Sequence, residues 1–332
     1  MRRKRILFIK HGFSETCDHR VSSVVSLGDV FRCTCLLEDF KGWEVTWVTS
    51  GAGAALLEGN HLIDRLVVAE TPGQLEAGVV EGSYDAVVNL EKQRDWCEFS
   101  AAIEAEARYG FRDWAAMGRE CFWPESAAAL AAALETDQPR PVQHTLFETL
   151  GRPWRGQRYV LGHRPRAVEM YDVGLNHHVG PKWPNKRWPD AMWQELAQRL
   201  EERGYAVCWQ QALNSVQAYT HWLASCRLIV TCDSLGLHLG LALGKKMVAL
   251  FGPTIAEHVY LYGQGIKLTP AVDRPCVPCM QERCMYPDCC MEHISVSMAV
   301  EAVEMLLGAR APQKKETPRS RQEATAPIGA AP

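Results

Sequence analysis

The sequence predicts an α/β protein built on parallel sheets, and three observations carry that expectation. Short apolar runs suited to buried strands alternate with longer segments of helical period. The chain has 332 residues, 47% apolar and 23% charged, enough length and hydrophobicity for two globular domains, each with its own core. No stretch approaches the roughly eighteen uncharged apolar residues that a bilayer span requires, so any membrane contact is expected to be peripheral.

Taken in order, the first strand is expected over residues 5–9. It is interrupted at once by Lys10, His11 and Gly12, so the basic cluster Arg2, Arg3, Lys4 and Arg5 does not open a secretory signal. That cluster reads as a solvated terminus, with contact to an anionic membrane as the alternative. Across residues 29–40, Val30, Phe31, Cys33, Leu36, Leu37 and Phe40 fall on one broad helical face. Strands follow over 44–48 and 86–90, and the alanine-rich run 126–134 predicts another helix. Residues 151–168 are rich in Arg, Gly and Pro, then strand-like sequence resumes at Met170. The division is therefore placed between an amino-terminal domain, 1–160, and a carboxy-terminal domain, 161–307. The second domain has strand-like runs over 172–176, 205–209, 228–231 and 247–251, with a helix over 190–199. Residues 308–332 carry no apolar period and read as a disordered tail.

A net charge of -3 gives no global attraction to nucleic acid, and no nucleic-acid partner is expected. Thirteen cysteines without an export signal point to free thiols or metal ligation in a reducing cytoplasm. Cys208, Cys226 and Cys232, set singly in apolar runs, fit small buried core residues.

Three segments can carry chemistry. An apolar strand runs into Asp233-Ser234, which precedes the helical stretch Leu235-Gly236-Leu237-His238 and ends at Gly244. Asp233 and Ser234 suit a helix cap, and free N–H groups at such a helix start bind phosphate. His238, one turn in, can donate to a diphosphate, or it is simply a satisfied helix residue. Upstream, Lys186 and Arg187 stand on a loop at a strand's carboxyl edge, where cations can neutralise a departing diphosphate. The alternative is a solvated loop over Trp183 and Trp188. Finally, Ser26-Leu27-Gly28-Asp29 passes from loop into helix, and Asp29 is either a helix cap or a general base for a sugar hydroxyl.

Together and in this order, the segments resemble the heptosyltransferase family, glycosyltransferase family 9. The family's Gly-Asp loop is matched by residues 26–29, and its Lys-x-Trp-Pro motif by Lys186-Arg187-Trp188-Pro189. Its Asp-Ser/Thr-x-x-x-His motif corresponds to residues 233–238, followed by Ala242 to Lys245 and Phe251-Gly252-Pro253-Thr254. The similarity spans roughly residues 5–307. It implies a GT-B architecture, two Rossmann-like domains facing across a cleft, and a metal-independent, inverting transfer. In that scheme Asp29 is the base and Lys186, with Arg187, meets the departing diphosphate. Asp233, Ser234, Leu235, Gly236, Leu237 and His238 form the donor site. The family's usual donor is ADP-heptose and its acceptor the lipopolysaccharide inner core, so a cytoplasmic enzyme with peripheral inner-membrane contact and a lipid-linked oligosaccharide acceptor is expected. Rival readings are a transferase of the same fold using another nucleotide sugar, and a non-catalytic nucleotide-sugar or metal-binding module.

Two features depart from the family pattern. The loop 11–25 is longer than usual, and 210–225 is shortened where the nucleoside is often held, leaving Gln210 and Gln211 as replacements for an acidic ribose contact. Separately, Cys276, Cys279, Cys284 and Cys289 lie within the loop 276–290, with Cys290 and His293 beside them. This density is compatible with a structural tetrahedral zinc; reduced thiols stapling the loop are the alternative, and an iron–sulfur cluster is disfavoured by the absence of other redox signals. No cofactor is expected to be required for catalysis.

Overall fold

The computed structural model describes residues 2–12, 25–114, 121–124, 126–127, 139–210, 214–281 and 283–309. The expected helix 126–134 falls outside these residues beyond Ala127, as does nearly all of the expected tail and of the long loop after Gly12.

The first unit is a parallel sheet of β1 (Arg5–Ile9), β2 (Glu44–Thr49), β3 (Arg65–Val68), β4 (Tyr84–Asn89) and β5 (Ala105–Gly110), ordered β3-β2-β1-β4-β5. The helices α1 (Leu27–Arg32), α2 (Gly51–Leu57), α3 (Ala77–Val80) and α4 (Arg94–Ala102) connect its strands. After α5 (Val142–Thr149) comes a second parallel sheet of β6 (Tyr171–Asn176), β7 (Val207–Trp209), β8 (Cys226–Cys232), β9 (Lys246–Leu250) and β10 (Gly265–Leu268), ordered β10-β9-β8-β6-β7. Its helices are α6 (Asp190–Glu202), α7 (Val216–Ala224), α8 (Leu235–Ala242) and α9 (Val296–Leu307).

Both orders reverse direction once, between β1 and β4 in the first sheet and between β6 and β8 in the second. Open parallel sheets bind ligands outside the carboxyl ends of the strands at such a switch point. Lys10 and Leu90-Glu91 lie there in the first unit, Asn176 and Asp233 in the second.

Every expected strand forms, with ends shifted by a residue or two at most of them. The runs that become β3, β5 and β10 are short or broken by charge and carry no clear strand signal. The helix expected over 29–40 starts earlier, at Leu27, and tightens into a 3-10 helix at Cys33–Phe40. Its apolar face is buried as the spacing requires: Val30, Phe31, Cys33, Leu36, Leu37 and Phe40 are all inside.

That face joins the two units. One core cluster contains Phe31 and Leu36 together with Leu237, Leu239 and Leu241 of α8. Gln143 of α5 donates to the hydroxyls of Tyr159 and Tyr262, at 2.8 and 3.1 Å. A separate core in the second unit centres on Trp188 and Trp193, packed edge to face at 5.0 Å. The Trp188 indole donates to the Ile294 carbonyl at 2.9 Å, anchoring the loop before α6 to the segment before α9.

At the amino terminus, Arg3 pairs with Asp64 at 3.0 Å, and Arg2 and Arg5 reach Asp85 and Glu44, each at 3.5 Å. The basic cluster is thus partly neutralised by carboxylates on the first unit.

Because Trp188 is wholly buried and hydrogen-bonded, Trp188→Ala is expected to lose about 3–5 kcal/mol of stability, read as a lower urea midpoint at unchanged slope. A midpoint unchanged from the parent would overturn the anchoring role.

Candidate active site

Asp233 ties together three loops that leave adjacent strands of the second sheet. Its carboxylate accepts the Lys186 ammonium at 2.8 Å and the Thr254 hydroxyl at 2.9 Å, and its backbone carbonyl accepts Lys186 again at 3.2 Å. Lys186 follows β6, Asp233 follows β8 and Thr254 follows β9. Burial opposes the charge on Asp233, but the Lys186 ammonium overrides it and holds the carboxyl well below the usual range.

This pairing corrects the expected cap. The N-cap position of α8 is Ser234, and no side chain accepts there. The Ser234 hydroxyl is drawn instead to Asn176 Nδ2 at 3.2 Å and Thr231 Oγ1 at 3.3 Å. Asn176 is a hub, donating also to Thr231 at 2.7 Å and accepting from Tyr219 at 2.8 Å. The hub requires glycine at 236, because a Cβ there would stand 2.1 Å from Tyr219 Oη and 2.4 Å from Asn176 Nδ2.

His238 is buried against Tyr159, ring centroids 5.5 Å apart, with Gly28 of α1 packed on its other side. Burial, reinforced by Arg32, pushes its pKa down to about 3, so the imidazole is neutral at any physiological pH. Its Nδ1 is buried without a partner. It can therefore offer a hydrogen bond but not a charge.

Across from this floor, Asp29 lies in the first turn of α1, three residues into the helix rather than at its cap, and pairs with Arg32 one turn later. Burial would raise its pKa. Arg32, Lys10, the Ser26 hydroxyl and Lys182 together outweigh burial and lower it. Lys10 is itself wholly buried, 3.3 Å from Glu91, which also accepts the backbone N–H of His11 and of Gly12, each at 2.7 Å.

Two cavities meet at these groups. One, of about 420 Å³, is lined by Asp29, Arg32, Lys182, Lys186, Gln210, Tyr219, Asp233, Ser234, Leu235 and His238. The other, of about 360 Å³, shares Asp29, Arg32, Lys182, Lys186 and Asp233, and extends between α5 and the loop after β9.

Of the expected donor residues, Lys186, Asp233, Ser234, Leu235 and His238 line the first cavity. Gly236 and Leu237 do not: the one packs on Asn176, and the other is a core residue. Arg187 also lies outside both cavities, its exposed side chain 2.5 Å from Asp190. Lys10, Arg32, Lys182, Asn176, Tyr219 and Thr254 were missed. Arg32 left a signal, one helical turn from Asp29, while Thr254 and Lys182 stood in the segments 251–254 and 180–189 without a role assigned to them.

Among the described residues no three His, Cys, Asp or Glu side chains are gathered as ion ligands. Cys289 contacts the Asn185 carbonyl at 3.6 Å, and His293 is engaged by Asp288 at 3.2 Å. Cys276, Cys279, Cys284 and Cys289 line neither cavity. As expected, Cys226 and Cys232 are buried; Cys208 is half-buried, accepting from the Trp222 indole at 2.9 Å.

Residues 213–289 match the family model for glycosyltransferase family 9 (heptosyltransferase). Lipopolysaccharide heptosyltransferase 1 of Pseudomonas aeruginosa is 32% identical over 129 residues, a match covering 32% of this chain and only 36% of that relative's length. Among solved structures, a family 9 glycosyl transferase from Veillonella parvula superposes with a TM-score of 0.64 at 19% identity, covering 91% of this chain and 97% of that one. The E. coli ADP-heptose lps heptosyltransferase II superposes with a TM-score of 0.59 at 17% identity, covering 91% and 98%. The structural likeness establishes the GT-B fold of two facing parallel-sheet units. Over residues 213–289 the chain is similar to glycosyltransferase family 9.

Proposed function

We propose that this chain is an inverting glycosyltransferase that moves a sugar, heptose from ADP-heptose by similarity to its relatives, onto a lipopolysaccharide core acceptor. The observation that supports this most is the meeting of two cavities at a shared floor that holds Asp29 and Lys186 together with Arg32, Lys182 and Asp233. The first cavity would take the nucleoside diphosphate and the second the acceptor.

In this reading the acceptor hydroxyl attacks the anomeric carbon from the face opposite the diphosphate. Its proton passes to Asp29, the bond from anomeric carbon to phosphate oxygen breaks, and the electron pair leaves on the diphosphate. Lys186, the imidazole of His238 and the open N–H groups at the start of α8 would receive that charge. Asp29 is a weak base because its pKa is lowered, so proton transfer would accompany sugar transfer rather than precede it.

Gln210 supports a nucleoside contact in the same cavity, its buried Oε1 having no partner. Gln211 lies outside the described residues. A different nucleotide sugar is the second reading, favoured by this amide where an acidic ribose contact is usual. The enzyme would work in the cytoplasm at the inner membrane; among the described residues no helix is long and apolar enough to cross a membrane. No step of the reaction uses a metal, and zinc on the thiol loop would be structural.

Melting temperatures with ADP, UDP, GDP and CMP test the donor. A selective rise with ADP, lost in His238→Ala, is expected; a selective rise with UDP would overturn the sugar assignment, and no response to any would favour the non-catalytic module. Asp29→Asn is expected to lower transfer by at least about a hundredfold while ADP binding persists; unchanged turnover would sink the base assignment. Since Asp29 is held below its ordinary value of about 3.9, the acid limb of the rate should appear only below about pH 4. Arg32→Met removes a cation that favours the ionised form, so that limb should move to higher pH; a shift to lower pH would contradict the coupling.

A further inference from the structure

Arg32 belongs to α1 in the first unit, yet it lines both cavities beside Asp29, Lys186 and Asp233. The start of α1 is pressed against the start of α8: a Cβ on Gly28 would stand 3.5 Å from His238 Cδ2 and 4.0 Å from Leu235 Cα. Arg32, one turn beyond Gly28 on the same side of α1, is thereby carried to the place where α8 opens.

Hydrogen-bonding groups from both units meet there. No side chain accepts from the first N–H groups of α8, and His238, whose Nδ1 is buried without a partner, lines the first cavity with Leu235 and Arg32. After burial, it is Arg32 that most lowers the pKa of His238, so the guanidinium acts across the boundary between the units.

Before transfer Arg32 is held by the Asp29 carboxylate. In the reaction written above that carboxylate takes the hydroxyl proton and loses its charge, while the diphosphate gains one as its bond to the anomeric carbon breaks. Resting on that reading, we propose that Arg32 then changes partner, leaving Asp29 for the diphosphate, so that the first unit supplies a cation to the leaving group. The exchange keeps the guanidinium beside an anion throughout; fixed on a neutral carboxyl it would be stranded in a mostly buried place. Its planar fork suits two phosphate oxygens at once, as an ammonium does not.

Calorimetry of ADP and AMP binding to the full chain tests this, because the two differ by the one phosphate that Arg32 would meet. Asp29→Asn imitates the neutral carboxyl and is compared with the double variant Asp29→Asn/Arg32→Met, so that no unmasked carboxylate repels the ligand in either. From the first to the second, the ratio of ADP to AMP affinity is expected to fall at least about tenfold, the worth of a charged hydrogen bond, with AMP affinity changing less than about threefold. In Asp29→Asn alone the ratio is expected to exceed that of the parent, where the carboxylate competes for Arg32; a ratio no higher overturns the exchange. An unchanged ratio between the two variants also overturns it and leaves the transferase reading intact. Equal loss of both nucleotides in the double variant does the same, since Arg32 would then serve the fold or the nucleoside. If the parent binds neither nucleotide, the donor assignment falls instead, and inorganic pyrophosphate titrated into the same two variants still decides whether Arg32 meets a diphosphate.

Discussion

The ion pair between Lys186 and Asp233 is the constraint on which the site depends. It fixes the ends of β6 and β8, the two strands between which the second sheet reverses direction, and through Thr254 it adds the end of β9. Three loops of different length are thereby held at one point. Both partners are mostly buried, so the pair is screened little by salt. Removing either alone would leave a charge in a poorly hydrated place, the costly case for a buried pair.

From this pair the geometry spreads outward. Since Asp233 is occupied by Lys186, it does not cap α8, and Ser234 is turned aside by Asn176 and Thr231. The first N–H groups of α8 are therefore left without a side-chain acceptor, at the place where the lining of the first cavity passes through Leu235 and His238. The same helix buries Leu237 and Leu241 against α1, so the helix that carries Asp29 and the helix that carries His238 are set by a common core. Positions of the candidate catalytic groups and packing between the units are one problem in this fold, because one pair of helices solves both.

Much of this was legible along the chain. The run 228–231 followed by Asp233, and the face from Val30 to Phe40, are local patterns of hydrophobicity and turn chemistry, and they survive in the folded protein with small changes at the ends. What sequence spacing could not supply was pairing at long range. Asp233 and Ser234 had the composition of a cap, and only the proximity of Lys186, 47 positions away, shows the carboxylate to be spent elsewhere. Lys186 and Arg187 are adjacent and chemically alike, yet a short 3-10 turn at Pro184–Lys186 sends the first inward and leaves the second with Asp190 on the surface. Strands β3, β5 and β10 escaped for a related reason: at the sheet edges they are only partly buried, so their sequences need not be continuously apolar.

The balance of charge at the cavity floor bears on the proposed reaction. Asp29 faces Arg32, Asp233 faces Lys186, and His238 is neutral, so each carboxylate is matched before any ligand arrives. In the proposed transfer, groups arranged this way would need little reorganisation as negative charge moves from a hydroxyl to a departing diphosphate. The Asp29–Arg32 pair keeps the carboxylate ionised and oriented, at the expense of its basicity. The Lys186–Asp233 pair keeps the cation in place while sharing its charge, which in the proposed reaction would limit how tightly the diphosphate is held once it has left. A floor of unpaired cations would bind the product more strongly than the transition state requires, and an uncharged floor would bind neither. Matched pairs beside a neutral imidazole lie between these limits, which is where differential binding of the transition state of the proposed reaction would be obtained.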